Sequence, residues 1–174
     1  FEKTVSEKDH IVLIFSDEKN AMDSSIFKNY PKDALKAIFA ISETKSDSVE
    51  SFHLSGQKKF KSITLAKIKS NKGEENFTKF EHFGGKLLSY LERKKIKKVS
   101  LVFDFKKTSA DLISLIINGM QLKDYKFEKY KIKTKKDFQI ESLKIIDKKD
   151  LFTKNQKDSV LKGIKTNGVF LTRD

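Results

Sequence analysis

A three-layer α/β domain built on a mixed sheet is the fold class this sequence predicts, and three observations predict it. Two short runs, 10–15 and 99–103, are apolar nearly throughout, as strands buried on both faces are. Longer stretches between the strand-like runs repeat their apolar residues at helical spacing. The resulting order is strand, helix, strand pair, helix, strand, helix, strand, helix, an alternation that packs as helices on a central sheet.

Each element has its own reason. Residues 1–5 alternate weakly and read as an edge strand, 10–15 is the first buried strand, and 17–20 is a turn. Tyr30-Pro31 opens a helix, with proline in the first turn where a missing N–H costs nothing. The inward face of that helix is Ala34, Leu35, Ile38 and Phe39, and a Ser-rich polar loop over 43–50 follows it. Residues 51–54 and 63–68 read as two strands joined through a turn at Gly56, and 71–73 as a loop. The clearest helix is 74–95, with a stripe of Phe77, Phe80, Gly84, Leu87, Leu88 and Leu91, its glutamates early and its lysines late, as the helix dipole prefers.

After the strand at 99–103, Thr108 to Asp111 caps a helix whose inward residues are Leu112, Leu115, Ile116 and Met120. Residues 125–132 alternate apolar and charged side chains and suggest an extended edge segment; 138–146 is the last strand. Thr153 with Gln156 three residues on forms a capping box, and Val160, Leu161, Ile164, Gly168 and Leu171 then share one helical face. No Gly, Asn or Pro stop follows Leu171, so the helix is expected to continue beyond Asp174. The expected organisation is an α/β domain over 1–152 and a linker helix over 153–174 that leads to a further domain outside the chain.

The composition bounds the class. Fifteen Phe and 37 % hydrophobic residues are enough to fill a core, and with only seven Gly and one Pro the chain is not a low-complexity one. The absence of Cys excludes disulfides and thiolate zinc sites. No apolar run approaches the ~18 residues of a membrane span, and the cytosol is the default compartment. The net charge of +13 suggests a nucleic-acid partner, but all the basic residues except Arg93 and Arg173 are lysine, whereas base reading and bidentate phosphate contacts favour arginine. The lysines read as scattered, with short pairs such as Lys97-Lys98 and Lys135-Lys136, so a solvated surface is expected and any nucleic-acid binding should be weak and non-specific.

No catalytic, cofactor-binding or metal-ligating residue emerges. His10, His53 and His82 lie far apart without metal-ligand spacing. Phe83-Gly84-Gly85-Lys86 fails as a phosphate loop: position 80 is Phe where the pattern needs Gly, and position 87 is Leu where it needs Ser or Thr. The mid-helix glycines are instead expected to let their helix approach the sheet closely. Asp104 ends a buried strand at the edge where α/β ligands bind, but has no acid, base or phosphate cradle beside it. There is no Gly-x-Ser-x-Gly elbow.

With these elements in place, the chain resembles the N-terminal domain of the leucine aminopeptidase (cytosol aminopeptidase) family. The most specific segment is 163–174, similar to the family's linker helix, which runs into an R-D-L-x-N-x-P-x-N type sequence; this chain carries Arg173-Asp174. The strand at 99–103, a helix ending near Gly119 and the stretch Tyr125, Phe127, Tyr130 are a softer match. The resemblance implies a fold similar to macro domains. It also implies a full-length homo-hexamer that releases N-terminal residues from peptides with two divalent metals, zinc or manganese. The metals, the catalytic residues and the family signature would belong to a catalytic domain that these residues do not contain. The domain itself is then expected to be inactive, to contact that catalytic domain and other subunits, and to shape access to the active sites. A nucleic-acid-binding module with a lysine-rich surface is the alternative reading. The likeness to macro domains does not transfer ADP-ribose binding, because function lives in the site.

Overall fold

In the computed structural model the first apolar run becomes strand β1 (His10–Phe15), the middle of a five-stranded sheet. The structure describes residues 9–17, 21–27, 30–41, 47–53, 62–69, 77–104, 110–130, 140–146, 152–158 and 160. The other strands are β2 (Ser48–His53), β3 (Ser62–Lys67), β4 (Lys98–Asp104) and β5 (Ser142–Ile146), in the order β2-β3-β1-β4-β5. β1 runs parallel to both β3 and β4, and β5 runs parallel to β4. Only β2 is antiparallel, paired with β3 from Ser48 opposite Lys67 to His53 opposite Ser62. The sheet is therefore mixed, as expected.

β1 is apolar on both faces because helices cover both. Ile11, Leu13 and Phe15 join Leu35 and Phe39 of α1 (Lys32–Ile41) in one core. Phe15 and Phe27 each meet the Phe39 ring edge-on, at centroid distances of 5.4 and 5.9 Å. Val12 and Ile14 enter the opposite core with Phe80, Phe83, Leu87, Leu88 and Leu91 of α2 (Phe77–Arg93) and with Ile113, Ile116, Ile117 and Met120 of α3 (Ala110–Tyr130). The inward stripe of α3 is thus turned slightly from the expected one: Leu112 and Leu115 are only half-buried.

Three expectations are corrected. The mid-helix glycines do not bring α2 to the sheet; they bring it to α3. A Cβ on Gly84 would lie 2.0 Å from the Ile116 carbonyl oxygen, and one on Gly119 would lie 1.9 Å from the Glu81 carbonyl oxygen. Gly119 is therefore no helix end, and α3 runs on to Tyr130 through the stretch expected to be extended from 125 onward. β2 begins at Ser48, inside the segment read as a loop. A 3₁₀ turn at Ser25–Phe27, not anticipated, places Phe27 against Phe39.

Both helix-end devices follow local chemistry. Lys95 takes φ 55° after α2, its N–H bonds the Glu92 carbonyl at 2.9 Å, and the Ile96 N–H bonds the Leu91 carbonyl at 3.1 Å. This is a Schellman cap with lysine where glycine is usual, and Ile96 packs on the core that contains Leu91. The capping box is formed as read: the Gln156 N–H reaches Thr153 Oγ1 at 3.3 Å and the Thr153 N–H reaches Gln156 Oε1 at 2.9 Å. Phe152 is buried in the α2–α3 core and Val160 packs against it. The expected edge strand at 1–5, the turn at Gly56, the loop at 71–73, the cap at Thr108 and positions 161–174 lie outside the described residues.

Candidate functional site

Two polar arrangements stand out against this apolar frame, and they meet at Tyr90. The first is a ladder of side chains on the α2 face of the sheet. Strand alternation puts His10, Ser62, Thr64 and Ser51 on that face, each on β1, β3 or β2. His10 Nδ1 lies 3.1 Å from Ser62 Oγ, and Nε2 lies 2.7 Å from Thr64 Oγ1. Thr64 Oγ1 is 2.7 Å from Ser51 Oγ, and the Tyr90 hydroxyl donates to Ser51 Oγ at 2.9 Å. With a neutral His10 protonated on Nδ1, the bonds can all run one way, from Tyr90 through Ser51 and Thr64 to Nε2, and from Nδ1 to Ser62. Burial pushes the His10 imidazole down to about 4, with His53 a lesser cause. A neutral ring that bonds two hydroxyls is a structural strut, and its low basicity removes it from proton exchange near neutral pH.

The second arrangement is a groove of about 710 Å³ over the outer face of α2. Asp47 and Val49 line it from the β2 side, His82, Gly85, Lys86, Ser89, Tyr90 and Arg93 from α2, and Gly119, Leu122 and Lys123 from α3. Its carboxylates are occupied. Asp47 accepts the Lys69 N–H at 2.8 Å and pairs with Lys79 at 3.6 Å, while Glu81 accepts the Asn118 amide at 2.9 Å. Arg93 and Lys94 lie over the Tyr90 ring, 5.5 and 5.8 Å from its centroid. Among the described residues Leu122 is an exposed large apolar side chain, 41 % accessible.

The other residues singled out in the sequence do not assemble. His53 and His82 are exposed, on β2 and on the outer face of α2, and Asp104 is half-buried at the end of β4. Among the described residues no three His, Asp or Glu side chains converge to hold a metal ion. At the opposite, amino-terminal end of the central strands, buried Asp9 accepts from Ser100 Oγ at 2.9 Å and pairs with Lys144 at 3.1 Å, a cross-link between β4, β5 and the entry to β1. Among the described residues no helix is long and apolar enough to cross a membrane.

The scattered-lysine reading also needs correction. Arg93, Lys94, Lys95, Lys97 and Lys98 form a cluster of exposed cations at the end of α2 and the start of β4. The run is contiguous in sequence apart from Ile96, which packs half-buried against the core. A count of charges over six residues would have found it. The hydroxyl ladder has no such signal, since its members come from three strands and a helix.

The family model of the cytosol aminopeptidase family, N-terminal domain, matches residues 11–134. A mutant of tomato leucine aminopeptidase shares the fold, with a TM-score of 0.59 and 15 % sequence identity over 96 % of this chain. The chain spans about a third of the length of that tomato enzyme, 35 % of it. No curated protein matches the chain in sequence.

Proposed function

Because the chain belongs to the cytosol aminopeptidase family through that family's N-terminal domain, we propose that it is the non-catalytic N-terminal domain of a metal-dependent leucyl aminopeptidase of the cytosol. In this reading the longer protein releases N-terminal residues from peptides, and the present domain contributes contacts between subunits and shapes the approach to the active sites. The observation that carries the reading is the family match over 11–134, a match to the N-terminal domain in particular. The likeness to the tomato enzyme supports it at the level of fold.

The experiment compares the longer protein with and without residues 1–152. Sedimentation velocity reports assembly, and the ratio of turnover on a tetrapeptide to turnover on leucyl-p-nitroanilide reports access. Removal is expected to change the sedimentation coefficient beyond the lost mass, or to change that ratio. Unchanged assembly together with an unchanged ratio refutes the proposed role.

A further inference from the structure

We propose that the edge of β2 and the groove over α2 together form a docking site for an extended acidic segment of another polypeptide, taken up as an additional strand. The proposal goes beyond the family reading and does not depend on it.

Four observations point there. β2 is the outermost strand, and among the described residues none pairs with its free edge. Sheet edges are usually blunted by lysine, proline or a bulge. β2 reads Ser-Val-Glu-Ser-Phe-His and keeps an unbroken register with β3 over all six residues, so it has no lysine, proline or bulge and its one charged residue is Glu50. A regular edge beside a helix-lined groove is the arrangement in which strand addition supplies affinity through main-chain hydrogen bonds and side-chain pockets supply specificity.

The wall of the groove has matching dimensions. His82, Lys86, Ser89 and Arg93 recur at helical spacing along α2 and all line it. From His82 to Arg93 the eleven rises of ~1.5 Å span about 16 Å, the length of roughly five extended residues.

The charge of the wall selects the partner. The carboxylates Asp47 and Glu81 are already held by Lys69, Lys79 and Asn118. Among the described residues no carboxylate pairs with Lys86, Arg93, Lys94 or Lys95. The uncompensated charge facing the groove and its end is positive, so acidic side chains on the incoming strand complement it.

Finally, the site is already assembled. The Tyr90 hydroxyl ties α2 to Ser51 of β2 at 2.9 Å, and the cations Arg93 and Lys94 are placed over its ring. A wall fixed before binding reduces the ordering cost of association. Leu122 offers an apolar contact for one side chain of the ligand.

The test uses the 174-residue chain and a fluorescent eight-residue peptide that alternates glutamate and valine. The expected Kd is in the micromolar range, from about 10 to 100 μM at near-physiological salt. Lys86→Glu and Arg93→Glu, both at exposed helix positions, should each weaken binding about fivefold or more while circular dichroism stays unchanged. Methylating alternate peptide amides should weaken it about tenfold or more, because strand addition needs those N–H groups. Amide resonances of residues 48–53 should shift on titration. Three outcomes overturn the proposal: no binding at about 1 mM peptide, equal binding of the methylated peptide, or equal binding by both charge-reversed variants. A short DNA duplex that competes at the same residues and binds more tightly than the peptide also overturns it, and marks the surface as one for nucleic acid instead.

Discussion

Adding one methyl group at Gly119 tests the packing of this fold most sharply. In an isolated helix Gly→Ala gains about 1 kcal/mol. Here the new Cβ would meet the Glu81 carbonyl oxygen at 1.9 Å, and the carbonyl carbon and Cα of the same residue at 2.6 and 2.7 Å. These are backbone atoms of α2 and cannot swing aside. The two helices must separate by more than 1 Å, roughly, to reach ordinary contact, and the strain spreads along a seam that holds Phe83, Ile116 and Met120. The Asn118–Glu81 hydrogen bond of 2.9 Å, one residue away, stretches with it. Overpacking of a core costs about 1–3 kcal/mol where side chains can adjust. With backbone as the obstacle the upper end applies, and after the propensity gain the net loss is about 2 kcal/mol. Gly85 is the internal control. Its Cβ would sit 3.6 Å from the Gly119 oxygen, an ordinary contact, so Gly85→Ala should stabilise by up to about 1 kcal/mol. In urea titrations the Gly119→Ala midpoint should fall by about 1 M and the Gly85→Ala midpoint should rise or hold. Gly119→Ala that stabilises as much as Gly85→Ala refutes the close crossing of α2 and α3.

Three further outcomes are expected. His10 has its pKa lowered to about 4 from 6.5 in the fold, so the unfolded chain binds more protons between those values. Its contribution to stability is therefore whole above pH 6.5 and is lost as pH falls through 4. Discounted for solvent access, the loss is about 1–2 kcal/mol, and it should be absent from the pH dependence of His10→Gln measured by urea unfolding. Lys95 occupies a left-handed position that favours glycine, so Lys95→Gly should raise stability by about 0.5–1 kcal/mol in the same assay. Lys144→Met leaves buried Asp9 with Ser100 but without its cation, and should cost about 2 kcal/mol; a neutral result there would mean the cross-link carries no stability.

What could be read from the sequence was whatever local chemistry decides. The continuous run His10–Phe15 declared a strand covered on both faces, and the Thr153–Gln156 pair declared a helix start; both stand in the structure. What could not be read was the identity of distant partners. Gly84 announced a close approach, but a glycine does not say whether sheet or helix comes near. The helix end near Gly119 came from the family resemblance, whereas the lack of a side chain there serves the contact with Glu81 and the helix simply continues. The His10 ladder joins residues up to 54 positions apart, which no window along the chain brings together. The basic cluster at 93–98 is legible in the sequence as a triplet and a pair parted by Ile96, and the fold joins them by turning that isoleucine inward.

On the proposed reading, peptidase chemistry resides outside these residues. The most direct measurement incubates the 174-residue chain with leucyl-p-nitroanilide and either Mn²⁺ or Zn²⁺ and follows release of p-nitroaniline. The expected rate equals that of buffer and metal alone. Metal-dependent turnover above that blank, abolished by a chelator, would contradict it.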